Sequence, residues 1–323
     1  MKSYWIVTRA GQSVLEPREV PVPQLQRDEV LIRVHAAALN RGEIIVGSAV
    51  HGGPEKLGGT EASGVVEAVG ADVSQWKKGD RVMGRVSGAF AEYAAMYAGQ
   101  VLPAPDRLTW EQAAAIPSGF ITAYEALVQY GGLKAGEWLL VTGASSGVGV
   151  ASILTAKFLG ARTLGTSGSA AKLGKLTAVG LDVPIETRAP DFAQTVRAAT
   201  GGEGANLAVN LVGGSVFAEC MRSLARSGRL AIVGYVDGAY HADIDLDATH
   251  VNRLHIFGIS NVKLKREERA ATTRGFERDI LPAIADGRIT PLVDRVFSFD
   301  ELPAAKAHME SNAMVGKIVV KIV

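Results

Sequence analysis

The chain has 323 residues, 47% hydrophobic and 21% charged, with 34 Lys and Arg against 33 Asp and Glu for a formal charge of +1. Such a length predicts about two domains with ample cores, and near neutrality argues against nucleic acid or a membrane surface as partner. The single cysteine, Cys220, excludes an intrachain disulfide. Residues 1–9 lack the apolar core of a signal peptide and no run reaches the roughly 18 apolar residues of a membrane span. The expectation is a soluble cytoplasmic protein.

In chain order, runs 30–37 and 64–70 read as strands, 79–84 as a turn entering a third, and 89–94 as a continuation of the series. Short strands at roughly 8–12-residue spacing predict a small barrel or sandwich over residues 1 to about 120. Residues 110–116 and 121–130 read as helices leading into a second domain. There, the apolar run 138–141 is followed by a glycine-rich turn and a helix through 158, and 161–166 forms the next strand, about 20 residues on, as a βαβ dinucleotide unit requires. Runs 206–212 and 229–234 follow after helix-length segments, which predicts a doubly wound parallel sheet. After a strand at 254–259, residues 266–286 read as one amphipathic helix. The run 316–323 ends the chain as a strand with no βα unit of its own, so it returns to the first domain. The expected division is 1–120 with 260–323, against 121–259.

The turn Gly143-Ala144-Ser145-Ser146-Gly147-Val148-Gly149 is the most specific local signal. Glycines there let a diphosphate approach backbone N–H groups at the positive end of a helix, which makes Ser146, Gly147 and Val148 candidate cofactor-binding residues. A purely steric turn is the alternative, because strand–turn–helix junctions need glycine in any case. The third glycine of the usual pattern is also missing, and Ser152 follows instead.

These pieces, with Ala38-Leu39-Asn40, Gly59-Thr60-Glu61-Ala62-Ser63-Gly64-Val65-Val66, Gly79-Asp80-Arg81-Val82, Gly88-Ala89-Phe90-Ala91-Glu92-Tyr93 and Thr122-Ala123-Tyr124, resemble the zinc-free, quinone oxidoreductase-like branch of the medium-chain dehydrogenase/reductases from end to end. The resemblance implies an α/β fold: a GroES-like β-barrel domain, a Rossmann domain with a doubly wound parallel sheet, and an active site in the cleft between them. It also implies a homodimer, which the apolar strand 254–259 would form by edge pairing. The short-chain dehydrogenases share the turn's spelling but place it near their N-terminus and need a later Tyr-x-x-x-Lys pair. Here the only such pair, Tyr130 and Lys134, precedes the turn.

Zinc-dependent relatives carry cysteine where this chain has Asn40 and histidine where it has Thr60. The six histidines are scattered (His35, His51, His241, His250, His255 and His308), and nothing near Cys220 has ligand spacing. No metal is therefore expected. An NAD enzyme normally ends the second strand of this unit with an acid for the ribose hydroxyls. Here that segment reads Thr166-Ser167-Gly168-Ser169-Ala170-Ala171-Lys172. Ser167, Gly168, Ser169 and Lys172 are thus read as an NADPH 2′-phosphate site, with Arg188 as a further partner. The alternative is that Ser169 only caps the following helix and Lys172 is solvated. Val212, Gly234 and Ile259, from the later strand runs, complete the cofactor set with Thr122, which the resemblance places at the nicotinamide end.

The resemblance sets Asn40 and Glu43 against the nicotinamide or substrate, and both are read as catalytic, Asn40 also as cofactor-binding. Relatives often carry tyrosine two residues after the acid, where this chain has Ile45, which leaves the proton donor unassigned, with water an option. The expected reaction is NADPH-dependent hydride transfer to a quinone or to the activated C=C of an α,β-unsaturated carbonyl. The alternative is a non-catalytic NADPH-binding structural or regulatory protein.

Overall fold

A computed structural model describes residues 1–44 and 55–323. They fall into two units: residues 1–121, 262–287 and 291–323 form one, and residues 122–261 with 288–290 form the other.

The first unit opens with β1 (Lys2–Arg9), β2 (Gln12–Glu19) and β3 (Glu29–Ala38), then a single helical turn α1 (Arg41–Ile44) and β4 (Glu55–Leu57). Strands β5 (Glu61–Val69), β6 (Arg81–Arg85), β7 (Tyr93–Tyr97) and β8 (Val101–Pro103) follow, then helices α2 (Trp110–Ala114) and α3 (Pro117–Tyr124). One sheet has the order β2-β1-β4. On β3, Val30, Ile32 and Val34 are fully buried. Its last residues are alanines because α2 lies close by: Ala36 and Ala38 pack with Ala114 and Ala115. Thr109 starts α2 with a capping box, its hydroxyl accepting from Gln112 N at 3.2 Å while its own N–H donates to the Gln112 side chain at 3.1 Å. The run 89–94 is not strand throughout, and β7 begins only at Tyr93. Phe90 is instead folded into the core, its carbonyl accepting from Tyr4 N at 2.8 Å and its N–H donating to Gly58 O at 2.9 Å.

The second unit contains β9 (Trp138–Val141), α4 (Gly147–Phe158), β10 (Arg162–Ser167), α5 (Ala170–Ala178), β11 (Val183–Glu186), α6 (Ala193–Ala199), β12 (Ala205–Asn210), α7 (Phe217–Ser223), β13 (Leu224–Ile232), α8 (Leu246–Val251) and β14 (His255–Gly258). All pairings are parallel, in the order β11-β10-β9-β12-β13-β14. The chain starts in the middle and winds outward one way, then the other, so the order reverses at β9. Strands covered on both faces must be apolar on both, and Leu139, Leu140, Val141, Leu207, Ala208 and Val209 are all fully buried. Phe192, Leu164, Val196 and Leu230 fill one side of that core. Ser152, standing where the third glycine is missing, is also buried and donates its hydroxyl back to Val148 O at 2.8 Å.

The chain then returns to the first unit through α9 (Arg266–Asp279), α10 (Leu281–Ala285), β15 (Val293–Ser298), α11 (Leu302–Glu310) and β16 (Lys317–Lys321). The expected single helix over 266–286 is two helices, broken at Ile280, because Pro282 removes an N–H and starts a new helix in its first turn. β16 pairs antiparallel with β3, Val320 opposite Ala37. The larger sheet reads β15-β16-β3-β5-β6-β8, with β7 also on β3. No helix among the described residues is long and apolar enough to cross a membrane.

Candidate functional site

In the second unit, the sequence-derived candidates other than Thr122 gather at the carboxyl ends of the parallel strands, the edge at which open α/β sheets bind ligands. The turn after β9 is built in layers. Thr142 is buried, donates its hydroxyl to Asn210 Oδ1 at 3.1 Å and accepts from Leu211 N at 3.1 Å. Gly143 takes a left-handed φ of +62° and donates its N–H to Thr166 Oγ1 at 3.3 Å. Ser146 N closes the turn on Gly143 O at 3.1 Å, and the Ser146 hydroxyl caps α4 by accepting from Gly149 N, also at 3.1 Å. At Gly149, a Cβ would stand 2.5 Å from Ala144 O, so only glycine lets the helix start this close to the strand end. Helix geometry leaves the amides of Gly147 and Val148 without partners inside α4, and its first turn carries no acidic residue. A diphosphate fits that end by charge and by hydrogen-bond chemistry.

Ser167 ends β10 and Gly168 follows, with Arg188 lying against it: a Cβ at Gly168 would meet Arg188 Cγ at 2.4 Å. Ser169 caps α5 by accepting from Lys172 N at 3.5 Å, so its acceptor capacity serves the helix and its own O–H proton remains to donate. Val212, Gly234 and Ile259 follow β12, β13 and β14 and are laced together: Val212 N donates to Asn210 Oδ1 at 3.0 Å, Gly234 N to Asn210 O at 3.2 Å, and Ile259 N to Ile232 O at 2.9 Å. Thr122 stands half-buried on α3, as the first residue of this unit.

The catalytic candidates lie in the first unit, in a buried polar cluster that joins β3, α1, β5 and β16. Asn40 N donates to Glu43 Oε1 at 2.7 Å. The Asn40 side chain donates through Nδ2 to Thr60 Oγ1 at 3.1 Å and to Glu61 Oε1 at 2.8 Å, and accepts through Oδ1 from Lys317 Nζ at 2.9 Å. Lys317 also donates to Leu39 O at 2.9 Å and to Glu61 Oε1 at 2.6 Å, in an ion pair buried on both sides. Ser118 N completes the carboxylate's shell, donating to Glu61 Oε2 at 2.7 Å. Both amide protons of Asn40 are therefore engaged inside the protein. Glu43 is fully buried, and burial pushes its carboxyl up to about 7, against the lowering influence of Asn40 N, the Thr60 hydroxyl and Lys317. Thr60, by contrast, is exposed. Having accepted from Asn40, its hydroxyl has one proton, which the ionised Glu43 carboxylate attracts and which the protonated carboxyl leaves available to donate elsewhere.

Sequence reasoning missed Thr60, Glu61, Lys317 and Asn210 as members of these clusters. Thr60 and Glu61 lie inside the motif 59–66, whereas Lys317, set in an apolar strand far along the chain, carries no local signal. Ile45 and His51 lie outside the described residues. Among those described, no three His, Cys, Asp or Glu side chains come together in a way that could hold a metal ion.

Residues 26–106 match the alcohol dehydrogenase GroES-like domain, and residues 147–274 match the zinc-binding dehydrogenase domain. A phenolphthiocerol/phthiocerol polyketide synthase of Mycobacterium tuberculosis is 31% identical over 311 residues, a match covering 95% of this chain but 14% of that protein. The chain thus spans a small part of the length of the curated relatives it matches first. The quinone oxidoreductase of Homo sapiens is 32% identical over 240 residues, covering 72% of this chain and 73% of the relative. Two solved structures match over the full length of both chains: an NAD-dependent alcohol dehydrogenase at 30% identity with a TM-score of 0.87, and a mycobacterial protein complexed with NADPH at 27% identity with a TM-score of 0.90. The chain belongs to the medium-chain dehydrogenase/reductase family, in its quinone oxidoreductase-like branch.

Proposed function

We propose that the chain is an NADPH-dependent, zinc-independent oxidoreductase that reduces a quinone or the activated C=C of an α,β-unsaturated carbonyl. The observation that carries the cofactor reading is the open, acid-free start of α4 together with the Ser167, Ser169, Lys172 and Arg188 side chains at the next strand end. The mycobacterial neighbour complexed with NADPH and the human relative named quinone oxidoreductase support cofactor and acceptor. When bound, NADPH would supply the hydride.

The first unit supports the zinc-independent part of the reading. Asn40 and Thr60, which stand where zinc-dependent relatives carry cysteine and histidine, offer a neutral amide and a hydroxyl. The Lys317 ammonium already sits among the oxygens of Leu39, Asn40 and Glu61. A second cation there would meet that charge directly. With no metal to polarise an alcohol, an acceptor that is already electrophilic is the chemistry this site suits.

Each such reduction adds a hydride and a proton, at the β and α carbons of an enone or at the two oxygens of a quinone. We assign delivery of the proton to Thr60, the exposed hydroxyl, with Glu43 behind it as the reservoir. The Thr60 O–H bond breaks as the acceptor is protonated, the Glu43 carboxyl restores it and is left as carboxylate, and solvent reprotonates Glu43. Asn40, both of its amide protons engaged, acts as the positioning residue that fixes Thr60. A homodimer formed through the edge strand β14 belongs to the same reading, and monomeric scattering in dilute solution would remove it.

The test is turnover. NADPH oxidation should proceed with quinones or enones and resist chelators. Tight NADPH binding without turnover on the whole panel would favour the non-catalytic alternative.

A further inference from the structure

The starts of α4 and α5 differ in one respect that bears on cofactor choice. Neither helix has an acidic residue in its own first turn. At α5, however, a carboxylate arrives from the neighbouring strand. Glu186 ends β11, pairs in register with Ser167 at the end of β10, and its Oε1 accepts from Ala170 N at 3.1 Å. The next residue is clamped, Thr187 N donating to Ser167 O at 3.1 Å and its hydroxyl to Asp191 Oδ1 at 2.6 Å. Arg188, one residue on, is the side chain that packs on Gly168. The short segment 186–188 therefore sets one anion and one cation beside Ser167, Ser169 and Lys172.

Resting on the NADPH reading above, we propose that Glu186 is a cofactor-discriminating residue that holds back the preference for a 2′-phosphorylated nucleotide. Two physical effects act in the same direction. With Ala170 N held by Glu186 and Lys172 N by Ser169, two of the first three amides of α5 are already engaged, so the helix start has little left to offer a phosphate. The carboxylate also adds a negative charge to the strand end that would receive a 2′-phosphate, and like charges repel. A ribose 2′-hydroxyl, being neutral, avoids that repulsion and can donate to a carboxylate. The chain is thus built to prefer NADPH by a modest margin and to accept NADH.

Calorimetric dissociation constants for NADPH, NADH, adenosine 2′,5′-bisphosphate and AMP, measured on wild type, Glu186→Gln, Glu186→Ala and Lys172→Ala, test this without any turnover. Glutamine keeps an acceptor for Ala170 N, so α5 stays capped. Glu186→Gln should raise the NADPH-over-NADH affinity ratio on the order of 10-fold, the scale of one charge interaction, with a matching change between the bisphosphate and AMP. Glu186→Ala should move the ratio the same way. An unchanged ratio in both Glu186 variants, with Lys172→Ala still lowering it, would overturn the role of Glu186 and leave the NADPH site standing. A wild type that binds neither dinucleotide would overturn the site and this proposal together.

Discussion

The two polar clusters of this chain contrast in how completely they are satisfied. In the β-rich unit, Lys317, Glu61 and Asn40 meet one another's donors and acceptors, and the Thr60 hydroxyl is the group of that cluster presented outward. At the strand ends of the second unit, the first α4 amides have no partners within their helix, and the Ser146 and Ser169 hydroxyls accept from helix amides with their own protons still to give. Buried polar groups without partners are costly, so the Asn40–Glu61–Lys317 core of the first cluster closes on itself, and Glu43 Oε2 is the buried oxygen left without a hydrogen bond. The second can stay open because it lies at a solvent-facing edge. Spare hydrogen-bonding capacity, more than polarity itself, separates a ligand site from a structural knot.

Breaking the closed cluster should have the largest effect. Lys317→Met leaves the fully buried Glu61 carboxylate without its cation, a loss that typically costs about 3–5 kcal/mol, readable as a lowered denaturant midpoint. Adding Glu61→Gln should recover part of it. A cost below about 1 kcal/mol would show that the cluster is not closed as described.

Glu43 sharpens the contrast through pH. Its carboxyl is raised from 4.5 to about 7 in the folded chain. The folded state therefore holds a proton that the unfolded chain has released. The stabilising contribution is complete below pH 4.5 and is lost as pH rises through about 7. By linkage that amounts to about 3 kcal/mol. Glu43→Gln should flatten the slope of stability against pH across this window, and an unchanged slope would assign it to other groups. In catalysis, the same proton should make kcat fall above about pH 7.

Thr60→Val removes the outward hydroxyl while leaving the buried ion pair. We expect a loss of kcat on the order of 10²-fold, at the low end for general acid catalysis, with NADPH affinity unchanged and Thr60→Ser restoring most of the rate. On the open side, Lys172→Ala should weaken NADPH about 10- to 100-fold, the worth of one charge-assisted hydrogen bond, and leave NADH nearly untouched. An equal loss for both cofactors would mean that Lys172 does not read the phosphate.

The fold was legible wherever apolar periodicity is local. The run 138–141 coincides with β9, and the parallel sheet follows from strands alternating with helices. Side-chain chemistry set the boundaries that were missed. The run 206–212 stops being strand at Asn210, because its Oδ1 gathers Thr142 Oγ1, Val212 N and Gly213 N into a turn that hydropathy does not register. Helix 266–286 breaks at a proline that the amphipathic pattern spans. At the site, the glycine turn and the serine pair were legible because their residues are neighbours in sequence. The Glu61–Lys317 pair, 256 residues apart, and the Glu186–Ala170 contact were not. Glu61 sits in the motif 59–66, but no local rule marks out Lys317, Glu186 or Ala170.

The most direct test of the central claim is to follow NADPH oxidation by metal-analysed protein with a quinone and with an α,β-unsaturated ketone, beside NADP⁺ reduction by an unactivated alcohol. Zinc-free protein should turn over at least one conjugated acceptor and leave the alcohol untouched. Stoichiometric zinc whose removal abolishes activity, or efficient alcohol oxidation with neither conjugated acceptor reduced, would contradict the claim.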